Sequence, residues 1–125
     1  MVQRSRLILV VGLVAANSSC LHSWGIRPEY KPVRAVVINH FNETMEIYVA
    51  AAGALYRIGI VHPGLTDDFE IPRSMIGKGP LELLAHPNAD TRSVARSGEL
   101  MIGSGQVVDF VITAQLFNST ATIRQ

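Results

Sequence analysis

Cysteine is almost absent from this sequence, since Cys20 is the only one in 125 residues. A chain with one cysteine has no partner for a disulfide within itself, so a disulfide framework is excluded as a source of stability. In an oxidising compartment the single cysteine would remain a reactive thiol unless it were modified. The fate of Cys20 is therefore linked to where the protein resides.

A hydrophobic run long enough to cross a membrane is also lacking. The apolar run from Leu7 to Ala16 has 10 residues, whereas a transmembrane helix needs about 20. Arg4 and Arg6 precede this run and small residues follow it, which is the three-part order of a secretory signal peptide. We therefore expect residues 1–19 to be a signal peptide outside the fold. The alternative is a buried N-terminal helix, which would have no polar face.

The residues around the end of this segment allow three cleavage positions, after Ala16, after Ser18 or directly before Cys20. The sequence Ser-Ser-Cys at 18–20 resembles the lipobox of bacterial lipoproteins, although Asn17 stands where that family usually has leucine. The resemblance implies that Cys20 carries lipid and anchors the protein in the cell envelope, in the periplasm or at the outer membrane. A soluble secreted product is the alternative.

Positive charge is scarce once the signal peptide is set aside. The chain has 11 basic and 10 acidic residues, and two of the basic residues, Arg4 and Arg6, belong to the signal peptide. The remaining basic residues are scattered singly, whereas nucleic-acid-binding domains cluster them. We therefore expect no nucleic-acid partner.

Catalytic motifs are missing as well. The sequence contains no G-x-S-x-G elbow, no Walker loop and no H-E-x-x-H motif. The segment GSGQ at 103–106 resembles the start of a nucleophile elbow, but it joins two predicted strands, so Ser104 is predicted to be a turn residue. The sequence predicts a protein that is not an enzyme and needs no cofactor.

Short apolar runs dominate the chain from Val33 onward, separated by Gly, Pro, Asn and Asp at intervals of about ten residues. This spacing is typical of an all-β sandwich or barrel. The predicted strands are 33–40, 45–52, 54–61, 67–72, 81–87, 91–103 as one long or two broken strands, 106–116 and 119–124. Two prolines, Pro28 and Pro32, mark residues 20–32 as an extended tether. We expect one antiparallel β-sandwich over residues 33–125.

Alternation along two of these strands predicts which side chains form the core. Met45, Ile47 and Val49 share one face, and the strand at 106–116 directs Phe110 and its second neighbours inward. The first two strands are predicted to form a hairpin across the turn FNET at 41–44. The stretch RSMIGKGP at 73–80 predicts a helical turn or a loop between sheets.

Several short patterns carry a broader resemblance: R-x-G-x-V at 57–61, F-x-I-P at 69–72, L-x-L-x-A-x-P at 81–87 and G-Q-x-V-x-F-x-I at 105–112. Their order resembles that of small, functionally uncharacterised bacterial envelope proteins with an immunoglobulin-like sandwich. The resemblance implies export and a β domain of seven to eight strands, and it implies no activity.

Three histidines stand at comparable places in the predicted strand order. His40, His62 and His86 end the first, third and fifth strands. If successive strands alternate in direction, the three imidazoles lie at one end of the sandwich, where they could bind zinc or copper. The alternative is that His-Pro in "VHPG" and "AHPN" simply terminates a strand.

Two further features suggest binding. Asp67, Asp68 and Glu70 could supply oxygen ligands to calcium, or they are solvated charges of a turn. The last strand, STATIR at 119–124, has no proline and one charge, so it is the edge at which a partner strand could pair, unless it is an ordinary strand of the sandwich. We expect a structural or interaction module of the envelope. The alternative is a periplasmic metal- or small-ligand-binding domain that uses His40, His62 and His86.

Overall fold

The computed structural model describes residues 29–88 and 90–125. The predicted signal peptide at 1–19, Cys20 and the tether up to Pro28 lie outside the described residues. From Glu29 to Pro32 the chain forms no regular element, and β1 begins at Val33.

Eight strands make up about half of the described chain, as the spacing of apolar runs predicts. Their bounds are β1 (Val33–Asn39), β2 (Met45–Ala51), β3 (Ala54–Val61), β4 (Thr66–Ile71), β5 (Leu81–Pro87), β6 (Ala95–Arg96), β7 (Val107–Ile112) and β8 (Thr120–Arg124). A 3-10 turn at Arg73–Met75 lies in the predicted connection between the sheets, and a second one at Leu116–Asn118 precedes β8. The predicted strand at 91–103 shortens to two residues, followed by a single bridge between Leu81 and Leu100.

The strands form two four-stranded sheets, in the orders β4-β1-β7-β8 and β3-β2-β5-β6. We call these sheet A and sheet B. The all-β prediction is confirmed, whereas the predicted hairpin of the first two strands is wrong, because β1 lies in sheet A and β2 in sheet B. The loop at 40–44 crosses between the sheets, since the strands on both sides of it each have one apolar face to bury against the other sheet.

The prediction that all strands are antiparallel is wrong at one place. β1 and β7 pair in parallel, with Val37 opposite Phe110 and Asn39 opposite Ile112. A parallel pair needs a long crossover between its strands, and here the whole of sheet B is inserted between β1 and β7. The alternation of apolar residues does not encode strand direction, so this feature arises only in the assembled fold.

The core lies between the two sheets and is built from the inward faces of their strands. The predicted core residues Met45, Ile47, Val49 and Phe110 are all 0% exposed. They pack with the other inward side chains, among them Val33, Val37, Val61, Ile71, Leu83, Val108 and Ile112. The alternation seen in the sequence therefore predicts the buried face of each central strand.

The turn between β2 and β3 is formed by Ala52 and Gly53, with φ angles of 50° and 79°. Two successive residues with positive φ are typical of the type I′ turn that joins two-residue hairpins. Glycine adopts this conformation freely, whereas Ala52 does so at a cost of about 1 kcal/mol. Beyond this hairpin β3 has a bulge, because Ile47 pairs with Gly59 and Tyr48 pairs with Arg57.

The loops that connect the strands lie at two opposite ends of the sandwich. We call the end that carries loops 40–44, 62–65, 90–94 and 113–119 the loop end. At this end Met45 pairs with both Val61 and Pro87, so β2 begins where β3 and β5 finish. The opposite end, where β1 begins and β8 finishes, is called the entry end; there Val107 pairs with both Arg34 and Arg124.

Candidate functional site

The three histidines named by the sequence lie at the loop end. His40 follows β1, His62 follows β3, and His86 is the penultimate residue of β5. Because β3 and β5 both run antiparallel to β2, their last residues meet its first residue. The strand order thus places the three residues at one end, as the alternation of directions predicts.

Each of the three histidines has separate surroundings. The His62 Nδ1 lies 3.0 Å from the Thr44 hydroxyl oxygen, whereas the His86 ring stacks on Tyr48 with 5.2 Å between ring centroids. His40 is exposed, and its backbone N–H donates to Ile112. Within residues 29–88 and 90–125 no group of three or more His, Cys, Asp or Glu side chains could hold a metal ion. The arrangement does not favour the metal-binding alternative.

The acidic residues of β4 do not converge either. Side chains alternate along a strand, so Asp67 lies on the opposite face from Asp68 and Glu70. Asp68 bonds to Arg34 across the pair of strands at 2.7 Å. This hydrogen bond and the charge of Asp68 raise the pKa of the Arg34 guanidinium. The acidic residues therefore act as the charged rim of sheet A.

Ser104 occupies a turn, as predicted, and fastens the start of the sandwich. Its hydroxyl accepts a hydrogen bond from the Lys31 backbone N–H at 2.7 Å and lies 3.3 Å from the Lys31 carbonyl oxygen. Nearby, the Arg73 guanidinium lies 4.3 Å from the centroid of the Tyr30 ring. These contacts hold residues 30 and 31 against the entry end, just before β1.

Asn39 is a structural residue that sequence reasoning missed. It is 0% exposed and is the one polar residue in the buried core of the described chain. Its amide donates to the carbonyl oxygens of Glu43 and Val61 at 2.9 and 3.0 Å, and its side-chain oxygen accepts from the Phe41 N–H at 2.9 Å. The side chain therefore ties β1, the 40–44 loop and β3 together. An Asn at the end of an apolar strand before a turn was the available signal.

A small polar cluster lies on the outer face of sheet B. The Tyr48 hydroxyl donates to Glu46 at 3.1 Å, and Arg57 lies 3.1 Å from the same carboxylate oxygen. Partial burial, and then the hydrogen bond to Glu46, raise the pKa of Tyr48. The stacked His86 ring completes this surface, and its Nδ1 lies 2.9 Å from the Pro87 carbonyl oxygen.

Two surface pockets accompany these features. One, of about 400 Å³, lies beside the β2–β3 hairpin between Leu55, Pro80 and Glu99. The other, of about 420 Å³, lies at the loop end and is lined by Phe41, Val94, Leu116, Phe117, Ser93 and Gln115. Phe117 is 82% exposed. Both pockets have mainly apolar walls, and neither contains a histidine.

Four strands form the edges of the two sheets, and three of these edges are protected. β3 carries the bulge, β4 carries three carboxylates, and β6 is only two residues long. Bulges, charges and shortness are the devices by which edge strands avoid pairing with other chains. The fourth edge, β8, has neither a bulge nor a cluster of charges over its five residues TATIR. We call the outer side of β8 the open edge.

The open edge is held to its own sheet by regular pairing and by one ion pair. β8 pairs antiparallel with β7 from Val107–Arg124 to Val111–Thr120. Arg124 donates to Asp109 of β7 at 2.7 and 3.3 Å. The open edge therefore presents backbone groups, neutral side chains and one arginine that is bonded to Asp109.

Comparison with known proteins adds only distant structural likeness. No family model matches this sequence, and no curated protein matches it. The chain is similar in fold to a protein from Eubacterium rectale whose structure was determined by NMR. That likeness has a TM-score of 0.47 and 12% sequence identity, over 76% of this chain and 90% of the other. In the described part of the chain, no helix is both long enough and apolar enough to span a membrane.

Proposed function

We propose that this protein is a non-enzymatic interaction module of the cell envelope. Residues 1–19 direct its export, lipid on Cys20 anchors it, and the β-sandwich associates with a protein partner through the open edge of β8. The observation that supports the association is the contrast among the four edges, of which β8 alone lacks a bulge, a cluster of charges or the two-residue length of β6.

The place where the chain enters the sandwich supports the orientation in this proposal. Tyr30 and Lys31 are held at the entry end, so the proposed tether would join the sandwich at that end. Its ten residues 20–29 could span at most about 35 Å. The anchored domain would then direct its loop end, with the exposed Phe117, away from the lipid surface.

The type of sandwich belongs to the same proposal. An immunoglobulin-like domain packs two sheets over alternating inward side chains and crosses between the sheets several times. Two four-stranded sheets and crossings at β1–β2, β3–β4, β4–β5 and β6–β7 support this type. The parallel pair β1–β7 is a departure from a purely antiparallel sandwich.

Export and anchoring are tested by the intact mass of the protein recovered from the membrane fraction of expressing bacteria. The wild-type chain is expected to have lost residues 1–19 and to carry several acyl chains. Cys20→Ser is expected to carry no lipid and to be released from the membrane fraction. A wild-type mass without lipid would overturn the anchor. A full-length, unprocessed mass would overturn export.

Association through the open edge is tested separately, by cross-linking. A cysteine placed at Thr122, on the exposed outer face of β8, would label the open edge for cross-linking in intact cells. The proposal predicts a discrete cross-linked protein product from this position. A product that forms equally from Thr66, on the acidic edge β4, would contradict the choice of edge.

A further inference from the structure

The sequence of β8 is suited to pairing with a copy of itself. In an antiparallel pair of identical strands centred on Thr122, the five residues of β8 all find a partner. Thr122 lies opposite Thr122 of the second copy, Ala121 opposite Ile123, and Thr120 opposite Arg124. This register pairs the whole strand, and a shift in either direction leaves residues unpaired.

Charge favours the same register. Arg124 is the only charged residue of β8 and lies opposite Thr120 of the second copy, so no like charges face each other. The two arginines are then about 14 Å apart along the strands, which exceeds the screening length of about 8 Å in physiological salt. Each arginine also remains bonded to Asp109 of its own sheet. The pairing therefore brings together no uncompensated charge.

Side-chain contacts add to the backbone hydrogen bonds. Ile123 pairs with the buried Val108, so it lies on the inner face of sheet A, and it is 37% exposed. Ala121 of the second copy would lie beside it and extend the core across the edge. On the outer face, two threonines directly opposite one another are a favourable cross-strand pair.

The acidic edge of the same sheet excludes the equivalent contact. A β4 strand paired with its own copy would bring Asp67, Asp68 and Glu70 of both copies together within a few residues. Like charges directly opposite across a strand pair are destabilising. One open edge for each sheet A also means that association closes at two copies.

We infer that the partner of the open edge is a second copy of this chain, bound by antiparallel β8–β8 pairing that joins two sheets A into one eight-stranded sheet. This inference rests on the proposed function and names its partner. A five-residue strand pair buries less area than the roughly 1,200 Å² of a stable interface. The dimer is therefore weak in dilute solution and is promoted where a shared membrane anchor raises the local concentration.

The test uses the full chain in the membrane fraction of expressing cells. Thr122→Cys is oxidised under mild conditions and analysed on a non-reducing gel. Facing residues in an antiparallel pair have Cβ atoms about 5 Å apart, which permits a disulfide. We expect a covalent homodimer from Thr122→Cys. The matched control Thr66→Cys, also an exposed threonine on an outer strand of sheet A, and the parent chain with Cys20 alone are expected to remain monomeric.

A charge exchange tests the two-fold register. Thr122→Lys alone and Thr122→Glu alone place like charges opposite each other, so each is expected to lower dimer yield at least fivefold in chemical cross-linking. Mixing the two variants restores the dimer as a lysine–glutamate heteropair. Thr66→Lys and Thr66→Glu are the matched controls and leave the yield unchanged. Circular dichroism of each variant verifies that it is folded.

The outcomes separate this inference from the proposed function. A cross-link from Thr122 to a different protein would overturn self-pairing and retain the interaction module. Monomer at Thr122 with no cross-linked product would overturn both self-pairing and the proposed role of the edge. Dimerisation without rescue in the mixture of Lys and Glu variants would overturn the antiparallel register.

Discussion

The two outer strands of sheet A differ in how their free sides are protected. β4 presents three carboxylates in six residues, whereas β8 presents threonine, alanine and isoleucine and one arginine already bonded to Asp109. Both strands expose backbone groups that could accept another strand, but only β4 carries the charges that discourage this. The same sheet therefore has one acidic outer strand and one outer strand with a single, paired charge.

The two strands also differ in how firmly they are fixed to the molecule. The segment that leads into β4 is bonded to Asn39, whose backbone N–H donates to Leu65 and whose carbonyl accepts from Gly64. Phe69 of β4 packs against Gly59 of β3 in the other sheet. β8 depends on its pairing with β7 and on the Arg124–Asp109 ion pair. β4 therefore has a contact to the other sheet in addition to its pairing with β1, whereas β8 is held mainly by its pairing with β7.

Among the substitutions considered, Asn39→Ala is expected to lower stability most, because Asn39 holds the segment that leads into β4. The substitution removes three side-chain hydrogen bonds and leaves the buried carbonyl of Val61 without its donor. We expect a loss of about 3 kcal/mol in the free energy of unfolding, measured by denaturant titration. Asn42→Ala, in the same loop but exposed, is the control and should change stability by less than about 0.5 kcal/mol. Equal effects would contradict the role assigned to Asn39.

Gly59→Ala tests the packing of β4 against β3. A Cβ atom at Gly59 would collide with the Phe69 ring, so the two edges would have to separate. We expect a loss of about 2 kcal/mol, and Phe69→Leu in the same chain should restore part of it. The control is Gly103→Ala, where the nearest atom is the Gln106 Oε1 at 3.9 Å. A neutral Gly59→Ala would show that the contact does not fix β4.

Removing charge from β4 should make the two edges alike. In the double variant Asp67→Thr and Glu70→Thr, Asp68 keeps its bond to Arg34, while the edge gains β-forming neutral residues. A sheet with two open edges can add copies at both sides, so we expect species larger than dimers, detected by light scattering across a concentration series. The equivalent exchange of Glu43 and Glu99, which lie outside the strands, should leave the size distribution unchanged. Unchanged scattering in the β4 variant would show that its acidic residues do not protect the edge.

The smallest expected effect is on the pH dependence of stability, and it arises in the loop that precedes the short edge strand β6. The Asp90 carboxylate accepts from the Arg92 backbone N–H at 2.9 Å and from the Ser93 hydroxyl at 3.0 Å, which lowers the pKa of Asp90. A lowered pKa in the folded state contributes stability above the unfolded pKa that is lost as pH falls through the folded pKa. An NMR titration of the side-chain carboxyl should therefore show Asp90 titrating below the usual range of aspartate. A midpoint at or above that range would contradict the loop geometry.

Much of the local structure was predictable from alternation alone. Strand positions and the inward faces of β2 and β7 follow from the spacing of apolar residues, and the predicted core residues Met45 and Phe110 are fully buried. The shared end of His40, His62 and His86 follows from counting strand directions. Strand directions do not predict that the three imidazoles have separate surroundings, because the distances between them depend on the order of the strands in the two sheets.

Other features were not predictable from a linear pattern. The hairpin expected for β1 and β2 fails because adjacent strands in the sequence belong to different sheets. Asn39 appears in the sequence as the polar end of a predicted strand, and only the fold brings the carbonyl of Val61 within 3.0 Å of its amide. The protective role of the β4 carboxylates becomes visible only once β4 is seen to be an outer strand.

Local sequence patterns were enough to predict alternating strands, the turns between them and therefore an all-β chain. Alternation and turn residues act over only a few neighbouring positions. The tertiary structure shows which strands of the described chain form the edges, that β1 runs parallel to β7, and that β8 is an outer strand. These choices depend on how two apolar faces cover one another across long sequence separations. That coverage is a property of the packed sheets as a whole.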